Sequence, residues 1–429
     1  MKRINKDTLK RIIIENRDYI HKIPADFVER ECFRLPQEIK KVIILYGVRR
    51  SGKTYLLYHL MRQNPDNSLY IDFEDDRLEG FSVDDFETLR EAFFELFPAL
   101  IHEKVYFLFD EIQVVDGWEK FCRRLVEKSN AEVAAAGSSS QIHPENISTT
   151  LRGRAWSIEV FPFSFREFVM FKGININHSL LFSNERFRLV EYFDEYLTWG
   201  GFPEVTAAHG DFDKQKIIEE YLDAIFFRDL VERHEISNIV LLKSLKNKIY
   251  STFATKFSLT SFHNKLKGHF PFSKDLLYKY YQYLLDSKTV FEARKYSDSE
   301  YQKSRNPAKV YIIDPAFAQK VAHDDTARVL ENIVFIELLR RNYKTYYYFQ
   351  TNECDFVACR GDKTQLIQVT YQMEPGNRER ELNGLIEAAQ STHSKEGYIL
   401  TFNEEDEQMA DDLKIKIIPV WKWLLGENG

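Results

Sequence analysis

The segment "VIILYGVRRSGKTYLLYHLM" (residues 42–61) decides the fold class of the N-terminal part of the chain. A five-residue apolar run precedes a loop with two glycines, and a helix-like stretch follows it. The loop satisfies the pattern G-x-x-x-x-G-K-[ST] with Gly47, Gly52, Lys53 and Thr54. In this pattern, successive backbone N–H groups surround a phosphate and the helix N-terminus adds partial positive charge. The order strand, loop, helix therefore predicts a phosphate-binding loop rather than a plain glycine-rich turn.

The loop predicts ATP and Mg²⁺ as cofactors. Lys53 would reach the β- and γ-phosphates, and the Thr54 hydroxyl would bind Mg²⁺. Arg49 and Arg50 are expected to contact the α- or β-phosphate or to pack, without a catalytic role. The predicted nucleotide-binding residues are Gly47, Val48, Arg49, Arg50, Ser51, Gly52, Lys53, Thr54 and Tyr55.

The second half of the predicted site lies in "KVYFLFDE" (residues 104–111), a buried-strand pattern that ends in two carboxylates. Asp110 would hold Mg²⁺ through water, and Glu111 is the candidate general base that polarises the attacking water. The alternative is that the pair caps a helix, since "DEIQ" leads into a turn.

Short apolar runs rich in Val, Ile, Phe and Tyr alternate with helix-like periods from about residue 38 to 165. Such runs are typical of buried parallel strands, and their alternation with helices predicts a doubly wound α/β sheet. A chain of 429 residues exceeds one core, so several domains are expected. We predict a lead-in helix (1–24), an ATPase core (25–165), a helical lid or linker (166–240), a winged helix (241–320) and a small α/β domain (321–429).

Composition describes an ordinary globular chain with 44% hydrophobic and 29% charged residues. It has no apolar run of membrane-spanning length and no secretory signal pattern, and its four cysteines form no C-x-x-C motif. We therefore expect a cytoplasmic protein without a membrane partner.

The net charge of −7 hides an asymmetry, because residues 243–309 carry 14 Lys and Arg against five Asp and Glu. The same region reads as three helices followed by two strands, which is the order of a winged helix-turn-helix. A basic module of this kind predicts a polyanionic partner, duplex DNA. The alternatives are protein docking and a solvated basic face. The candidate DNA contacts are Lys265, Lys267, Lys274, Lys279, Arg294 and Lys295.

Further motifs extend from the loop to the end of the chain: "YIDFEDDRL", "FLFDEIQ", "GSSS", "LRGR", "FPFSFREF", "GGFPEV", "FFRDLVER" and "LENIVFIELLRR…ECDF…IQVTY". Together they resemble a prokaryotic AAA+-like ATPase family with a C-terminal domain of uncharacterised function. The resemblance covers nearly the whole chain from about residue 25. It implies an ATPase module, a winged helix and a restriction-endonuclease-like fold, in that order.

The resemblance also implies residues that complete the ATP site. Ser138 and Ser139, after the fourth strand, would sense the γ-phosphate, unless they only begin a loop or cap a helix. Arg154, ahead of Arg152, would act as an arginine finger at the site of a neighbouring subunit in a homo-oligomer. The alternatives for Arg154 are a surface position or an ion pair with Glu159.

In the endonuclease-like part, the resemblance places Glu331 as the helix acid and Asp355 as the first strand acid. Gln368 and Thr370 stand where a second acid and a lysine are needed to bind metal and generate hydroxide. We therefore predict a degenerate, non-cleaving site. An active nuclease would need Glu331, Glu353 and Asp355 with a displaced lysine, for which Lys363 is the candidate.

The sequence thus predicts an ATP-binding and ATP-hydrolysing switch, with ATP and ADP as ligands, that associates with duplex DNA through its winged helix. The alternatives are an ATP-dependent DNA nuclease and an ATP-binding interaction module that does not hydrolyse.

Overall fold

The computed structural model describes residues 4–24, 27–35, 40–137, 142–177, 185–269, 271–297, 299, 306–318 and 325–426. Residues 1–161 and 162–429 form two compact units. We describe each unit by itself.

The first unit contains a parallel sheet of five strands within its described residues. The strand order is β2-β3-β4-β1-β5, so β4 lies between the strand before the phosphate loop and the strand that ends in Asp110. The predicted α/β fold with a parallel sheet is confirmed for this unit. The strands are β1 (Val42–Tyr46), β2 (Ser68–Asp72), β3 (Val105–Asp110), β4 (Ala131–Ala136) and β5 (Ala155–Glu159).

Helices cover both faces of this sheet because successive residues of a strand point to opposite sides. In β1, Val42 and Ile44 pack into a cluster with residues of α1, α3 and α4. Ile43 and Leu45 pack on the other face with residues of α2. The helices are α1 (Lys6–Lys22), α2 (Lys53–Gln63), α3 (Asp85–Leu96), α4 (Trp118–Lys128) and α5 (Pro144–Ile147).

The second unit combines helices with a mixed sheet. Its described helices are α6 (Phe165–Phe171), α7 (Glu185–Trp199), α8 (Pro203–Ala207), α9 (Asp211–Ala224), a π-helix (Ile225–Glu232), α10 (Ile239–Ser251), α11 (Leu259–Leu266), α12 (Lys274–Asp286), α13 (Thr326–Arg340), α14 (Arg378–Thr392) and α15 (Val420–Leu424). Helix α13 is buried around its whole circumference from Val329 to Leu338, including the polar residues Glu331, Asn332 and Glu337.

Nine strands of the second unit form one sheet in the described part of the chain, in the order β13-β14-β12-β11-β10-β9-β7-β8-β6. The strands are β6 (Thr255–Phe257), β7 (Val290–Lys295), β8 (Ala308–Ile312), β9 (Lys344–Phe349), β10 (Glu353–Arg360), β11 (Lys363–Val369), β12 (Glu396–Thr401), β13 (Asp406–Ala410) and β14 (Leu413–Pro419).

The helices and strands predicted for residues 241–320 are present as α10, α11, α12, β7 and β8, with the short β6 in addition. Strand β7 pairs in parallel with β9, through Arg294 opposite Tyr346 and Lys295 opposite Tyr347. This pairing joins the predicted winged-helix segment to the predicted endonuclease-like segment in a single sheet. The identities of these two modules, and the five-part division of the chain, stay predictions.

The "GGFPEV" motif and the segment around Asp314, far apart in sequence, meet inside the second unit. Asp314 is fully buried, and its carboxylate accepts hydrogen bonds from the N–H groups of Gly201 (2.9 Å) and Ala316 (2.9 Å). Gly200 has a φ of 70°, and a Cβ there would lie 1.6 Å from Asp314 Oδ1. A glycine is therefore required at position 200 for the buried aspartate to approach the backbone.

Candidate nucleotide-binding site

The loop between β1 and α2 has the backbone shape of a phosphate cradle. Gly47 and Gly52 have φ values of 143° and 102°, which side chains with a Cβ rarely adopt. A Cβ at Gly47 would also lie 2.3 Å from the carbonyl oxygen of Val160, so this position requires glycine. The loop ends where α2 begins at Lys53, so the N–H groups of the first helical turn, which have no acceptor within the helix, lie next to it.

Lys53 is folded back onto this loop and is buried. Its Nζ donates to the carbonyl oxygens of Gly47 (3.1 Å) and Val48 (3.0 Å). The Ser51 Oγ is buried in the same loop without a hydrogen-bond partner in the described structure. Phosphate oxygens would bind both of these groups: the Lys53 ammonium, which carbonyl oxygens hold here, and the Ser51 hydroxyl, which has no partner here. The loop residues therefore fit a nucleotide phosphate.

Asp110 and Thr54, the two predicted metal ligands, come together at the carboxyl ends of the strands. Asp110 ends β3 and is buried, with the Thr54 side chain close enough to lower its pKa. It accepts hydrogen bonds from Tyr70 Oη (3.1 Å) and from the N–H of Glu111 (3.0 Å). Burial, with the nearby Glu111 charge, raises the pKa of Asp110 to about 6, against the lowering effects of Thr54 and Lys53. This hydroxyl and carboxylate suit Mg²⁺, which prefers oxygen ligands.

Glu111 adopts an unusual backbone conformation beside Asp110. Its φ of 46° and ψ of 38° lie in the left-handed region, which costs energy for a residue other than glycine. Its carboxylate accepts a hydrogen bond from Gln113 Nε2. Glu111 therefore leaves the strand through a strained turn, and Gln113 holds its carboxylate.

Sequence reasoning missed Gln113, Asp72 and Arg30 in this site. Gln113 Oε1 is buried without a partner in the described structure, and a Cβ at Gly137, just past the end of β4, would lie 1.8 Å from it. Gln113 thus lies between Glu111 and the chain that leads to Ser138 and Ser139. Both predicted sensor serines lie outside the described residues.

Asp72 ends β2 and pairs in register with Asp110 on β3. Burial raises the pKa of Asp72, the Glu74 N–H opposes this, and the charge of Glu111 adds to the rise. Asp72 could have been found by the signal that identified Asp110, because "SLYID" is also a buried strand that ends in an acid.

Arg30 is a buried arginine that braces the phosphate loop from the segment between α1 and β1. Its Nη1 donates to the Ser51 carbonyl oxygen (3.0 Å), and its Nη2 donates to the Phe161 carbonyl oxygen (2.5 Å). No motif in the sequence marks this residue, because its partners lie 21 and 131 positions away. The guanidinium ties the loop to the chain that follows β5.

We expect Arg30→Ala to raise the Kd for ATP by about tenfold, because hydrogen bonds from a charged donor contribute roughly 1.5–3 kcal/mol and part of this fixes the loop. Titration with a fluorescent ATP analogue measures the Kd. The matched control is Arg34→Ala, since Arg34 lies in the same segment and is exposed. A folded Arg30→Ala protein with wild-type ATP affinity would show that this brace is irrelevant to the loop.

Arg49 and Arg50 lie within the loop, and Tyr55 lies in the first turn of α2. Tyr55 is 56% exposed and makes an edge contact with Phe27, with ring centroids 6.0 Å apart. Arg50 is exposed and has a φ of 68°.

Arg154 lies at the opposite edge of the sheet from the loop of its own chain. Its carbonyl accepts from the Val42 N–H (2.7 Å) at the start of β1, whereas the loop follows the end of β1. A strand of five residues spans roughly 16 Å, so Arg154 is remote from its own phosphate site. Its exposed side chain lies 3.4 Å from Glu127 Oε1, while Glu159 accepts from Tyr46 Oη, so the alternative pairing with Glu159 is wrong. The finger role stays a prediction, and only a neighbouring chain could use it.

The basic residues of the second unit lie on the outside of α11, α12 and β7. The four lysines Lys265, Lys267, Lys274 and Lys279 are exposed, while the Leu277, Tyr280, Tyr281 and Leu284 side chains of α12 are buried. Arg294 is exposed, with Nη2 3.6 Å from Glu292 Oε2, and the Lys295 ammonium lies 6.0 Å from the centre of the Phe349 ring. DNA contact by these residues stays a prediction.

The residues of the predicted degenerate nuclease site fall into two groups. Glu331 and Asp355 converge on the ammonium of Lys309, at 3.0 and 2.9 Å. Gln368 accepts from the Asp355 N–H (3.1 Å) and donates to Glu381, and Thr370 Oγ1 donates to the Gln372 carbonyl oxygen. Lys363, the suggested displaced lysine, is exposed at the start of β11, so Lys309 and not Lys363 lies among the carboxylates.

Three family models match successive parts of the chain. Residues 39–169 match the AAA domain, residues 190–328 a domain of unknown function (DUF8612), and residues 327–423 a second domain of unknown function (DUF4143). The first match contains the phosphate loop, Asp110, Glu111 and Arg154. It confirms the P-loop ATPase-like fold of the first unit.

Two curated relatives match over almost their whole length. The uncharacterized protein MJ1544 of Methanocaldococcus jannaschii is 35% identical over 98% of this chain and 96% of its own. The chain belongs to the family of MJ1544. An uncharacterized protein of Haemophilus influenzae is 31% identical over 89% of this chain and 94% of its own. Both relatives of this family member therefore share its overall organisation.

Solved structures resemble this member of the MJ1544 family only slightly. The Thermotoga maritima RuvB Holliday junction branch migration motor is 14% identical, covering 67% of this chain and 88% of its own, with a TM-score of 0.28. A likeness at this score supports no argument about function. Among the described residues, no helix is long and apolar enough to cross a membrane.

Proposed function

We propose that the first unit binds ATP with Mg²⁺ and hydrolyses it to ADP and phosphate. The observation that carries this proposal is the position of the Thr54 side chain near the buried Asp110 carboxylate. Glu111 follows Asp110 directly, and Thr54 follows Lys53 in the first turn of α2. Phosphate release from Mg·ATP by the wild type and by Lys53→Ala tests it.

The chain's own residues divide the work of hydrolysis. The Lys53 ammonium would exchange the carbonyl oxygens of Gly47 and Val48 for β- and γ-phosphate oxygens. Thr54 and Asp110 would hold Mg²⁺, which neutralises charge on the phosphates when bound. A water oxygen attacks the γ-phosphorus, the bond from that phosphorus to the β–γ bridging oxygen breaks, and Glu111 accepts a water proton.

The position of Arg154 supports an ATP site that two chains of a homo-oligomer share. Because the residue is remote from the loop of its own chain, its guanidinium would stabilise charge only at a neighbour's γ-phosphate. Turnover per chain should then rise with protein concentration in the wild type. Turnover independent of concentration over the range in which the protein associates would contradict this sharing.

We further propose that the second unit associates with duplex DNA through the lysines of α11 and α12, and that nucleotide state controls this association as a switch. The four exposed lysines lie on α11 and α12, two helices that contact each other, in a region that carries 14 Lys and Arg against five Asp and Glu. Neutralised phosphates release counterions, so such a surface binds DNA with strong salt dependence.

We expect replacement of Lys265, Lys267, Lys274 and Lys279 by glutamine to weaken duplex DNA binding by at least tenfold at low salt. The slope of log K against log salt should fall by up to about 3.6, at 0.9 for each lost phosphate contact. Fluorescence anisotropy over a salt series measures both quantities.

The control replaces four exposed lysines of the first unit by glutamine: Lys22, Lys40, Lys120 and Lys128. If both quadruple variants lose DNA affinity equally, net charge and not the α11–α12 surface is responsible. In the wild type, duplex DNA should also change ATP turnover. Unchanged turnover at saturating DNA would contradict the proposed switch.

A further inference from the structure

A lysine ammonium lies at the centre of three carboxylates in the second unit. Lys309 Nζ lies 3.0 Å from Glu331 Oε1, 2.7 Å from Glu353 Oε1 and 2.9 Å from Asp355 Oδ1. Lys309 comes from β8, Glu331 from α13, and the other two from β10. The Lys309 side chain is only 4% exposed. The cluster thus joins a strand of the DUF8612 match to a helix and a strand of the DUF4143 match.

Carboxylate oxygens surround this ammonium. It donates hydrogen bonds to Glu331 Oε1 (3.0 Å) and Asp355 Oδ1 (2.9 Å), and it forms an ion pair with Glu353 Oε1 at 2.7 Å. The carboxylates have further donors as well: Tyr311 Oη to Glu331 Oε1 (2.7 Å), Lys256 Nζ to Glu353 Oε2 (2.7 Å) and the Val369 N–H to Asp355 Oδ2 (3.0 Å). The cluster is therefore closed by groups of this chain.

The charges of the cluster also balance without an external cation. Burial alone would lower the pKa of Lys309, but Asp355 and Glu331 raise it well above its ordinary value, so the ammonium stays charged. Burial and the charge of Asp355 raise the pKa of Glu331 above its ordinary value. Lys256 neutralises Glu353 from the exposed side. A divalent cation would add charge to a cluster that is already close to neutral.

The polar groups next to the cluster do not offer ligands to a metal. The side-chain oxygen of Gln368 accepts a hydrogen bond from the Asp355 N–H, and its amide nitrogen donates to Glu381. The Thr370 hydroxyl donates to a backbone carbonyl oxygen. With Lys309 in place, the described residues contain no group of three or more His, Cys, Asp or Glu side chains arranged to hold a metal ion. A Mg²⁺ ion bound by Glu331 and Asp355 would have to displace the ammonium from a buried position.

We propose that Lys309 is the permanent internal cation of this carboxylate cluster, occupying the position in which Glu331, Glu353 and Asp355 would otherwise bind a divalent metal. The second unit is then metal-free and does not cleave nucleic acid, and the ammonium instead fastens β8 to α13 and β10. This inference is independent of ATP hydrolysis by the first unit.

Replacing Lys309 by alanine tests the proposal, because it leaves three converging carboxylates and space for an ion. We expect the nucleotide-free Lys309→Ala full chain to bind one more Mn²⁺ per chain than the wild type, counted by electron paramagnetic resonance. Saturating Mn²⁺ should raise its Tm by several degrees, since a ligand that binds only the folded state stabilises it. The additional ion should be lost in Lys309→Ala/Asp355→Asn.

The matched control is Lys256→Ala, which removes the other lysine bonded to Glu353 and leaves the central ammonium in place. It should bind as many Mn²⁺ ions as the wild type. A folded Lys309→Ala protein that gains no Mn²⁺ would overturn the proposal. Because that variant could fail to fold, Glu353→Gln in the otherwise wild-type chain gives a second measurement. Its Mn²⁺ count should equal that of the wild type, and the loss of one ion would show a functioning metal site.

DNA cleavage distinguishes the proposal from a nuclease in which Lys309 is catalytic. With Mn²⁺, supercoiled and linear duplex DNA should remain intact with the wild type. Cleavage that disappears in Glu353→Gln would overturn the proposal, whatever the ATPase activity of the same preparations.

Discussion

Glu111→Gln should lower the turnover number for ATP by about 100-fold or more while changing the Kd for ATP by less than about threefold. The amide keeps the shape of the side chain and its contact with Gln113, but it cannot accept a proton from the attacking water. Loss of a positioned general base typically costs roughly 10²–10⁴ in rate. Steady-state phosphate release gives turnover, and titration with an ATP analogue gives the Kd.

Glu103→Gln is the control for this prediction, because Glu103 is an exposed glutamate that precedes the same strand. Its turnover should match that of the wild type. If Glu111→Gln hydrolyses ATP at the wild-type rate, Glu111 is not the base. If its ATP affinity falls in parallel with turnover, the side chain supports the loop rather than the reaction.

Asp110→Asn should abolish turnover and yet stabilise the nucleotide-free protein at pH 8. The pKa of Asp110 is raised to about 6, so the folded protein prefers the neutral carboxyl and the ionised form is costly. The stability contributed by the neutral carboxyl is present below about pH 4 and is lost as pH rises through 6. Asparagine is neutral at every pH, so it removes this cost.

The expected gain in the free energy of unfolding at pH 8 is about 1–2 kcal/mol. It is smaller than the roughly 3 kcal/mol of a two-unit pKa shift, because the amide accepts fewer hydrogen bonds from Tyr70 and Glu111. Urea unfolding at pH 4 and pH 8 measures the difference, which should vanish at pH 4. Asp116→Asn, at an exposed position, should be neutral at both values. Lower stability of Asp110→Asn at pH 8 would contradict the argument.

Local sequence patterns were sufficient to predict the first unit. The apolar run of β1, the loop glycines and the carboxylates after β3 each lie within one short segment, and the parallel sheet brings the strand ends to one edge. The proximity of Asp110 and Thr54 therefore follows from the sequence pattern. Asp110 ends β3, and Thr54 follows the loop at the end of β1.

Contacts between distant segments could not be predicted in this way. Arg30 reaches a carbonyl 131 positions away, and Lys309 joins carboxylates 22 and 46 positions away. No local sequence pattern identifies the partner of a buried lysine or arginine. The pairing of β7 with β9 could not be predicted either. Both strands are short, and their residue patterns fit two separate sheets as well as one shared sheet.

The central claim is that the loop of residues 47–54 supports ATP hydrolysis, and phosphate release from Mg·ATP by the purified full chain tests it most directly. We expect steady release by the wild type, none above background after removal of Mg²⁺ with EDTA, and at least a 100-fold reduction in Lys53→Ala at unchanged Tm. Equal release by the wild type and a folded Lys53→Ala protein would contradict it.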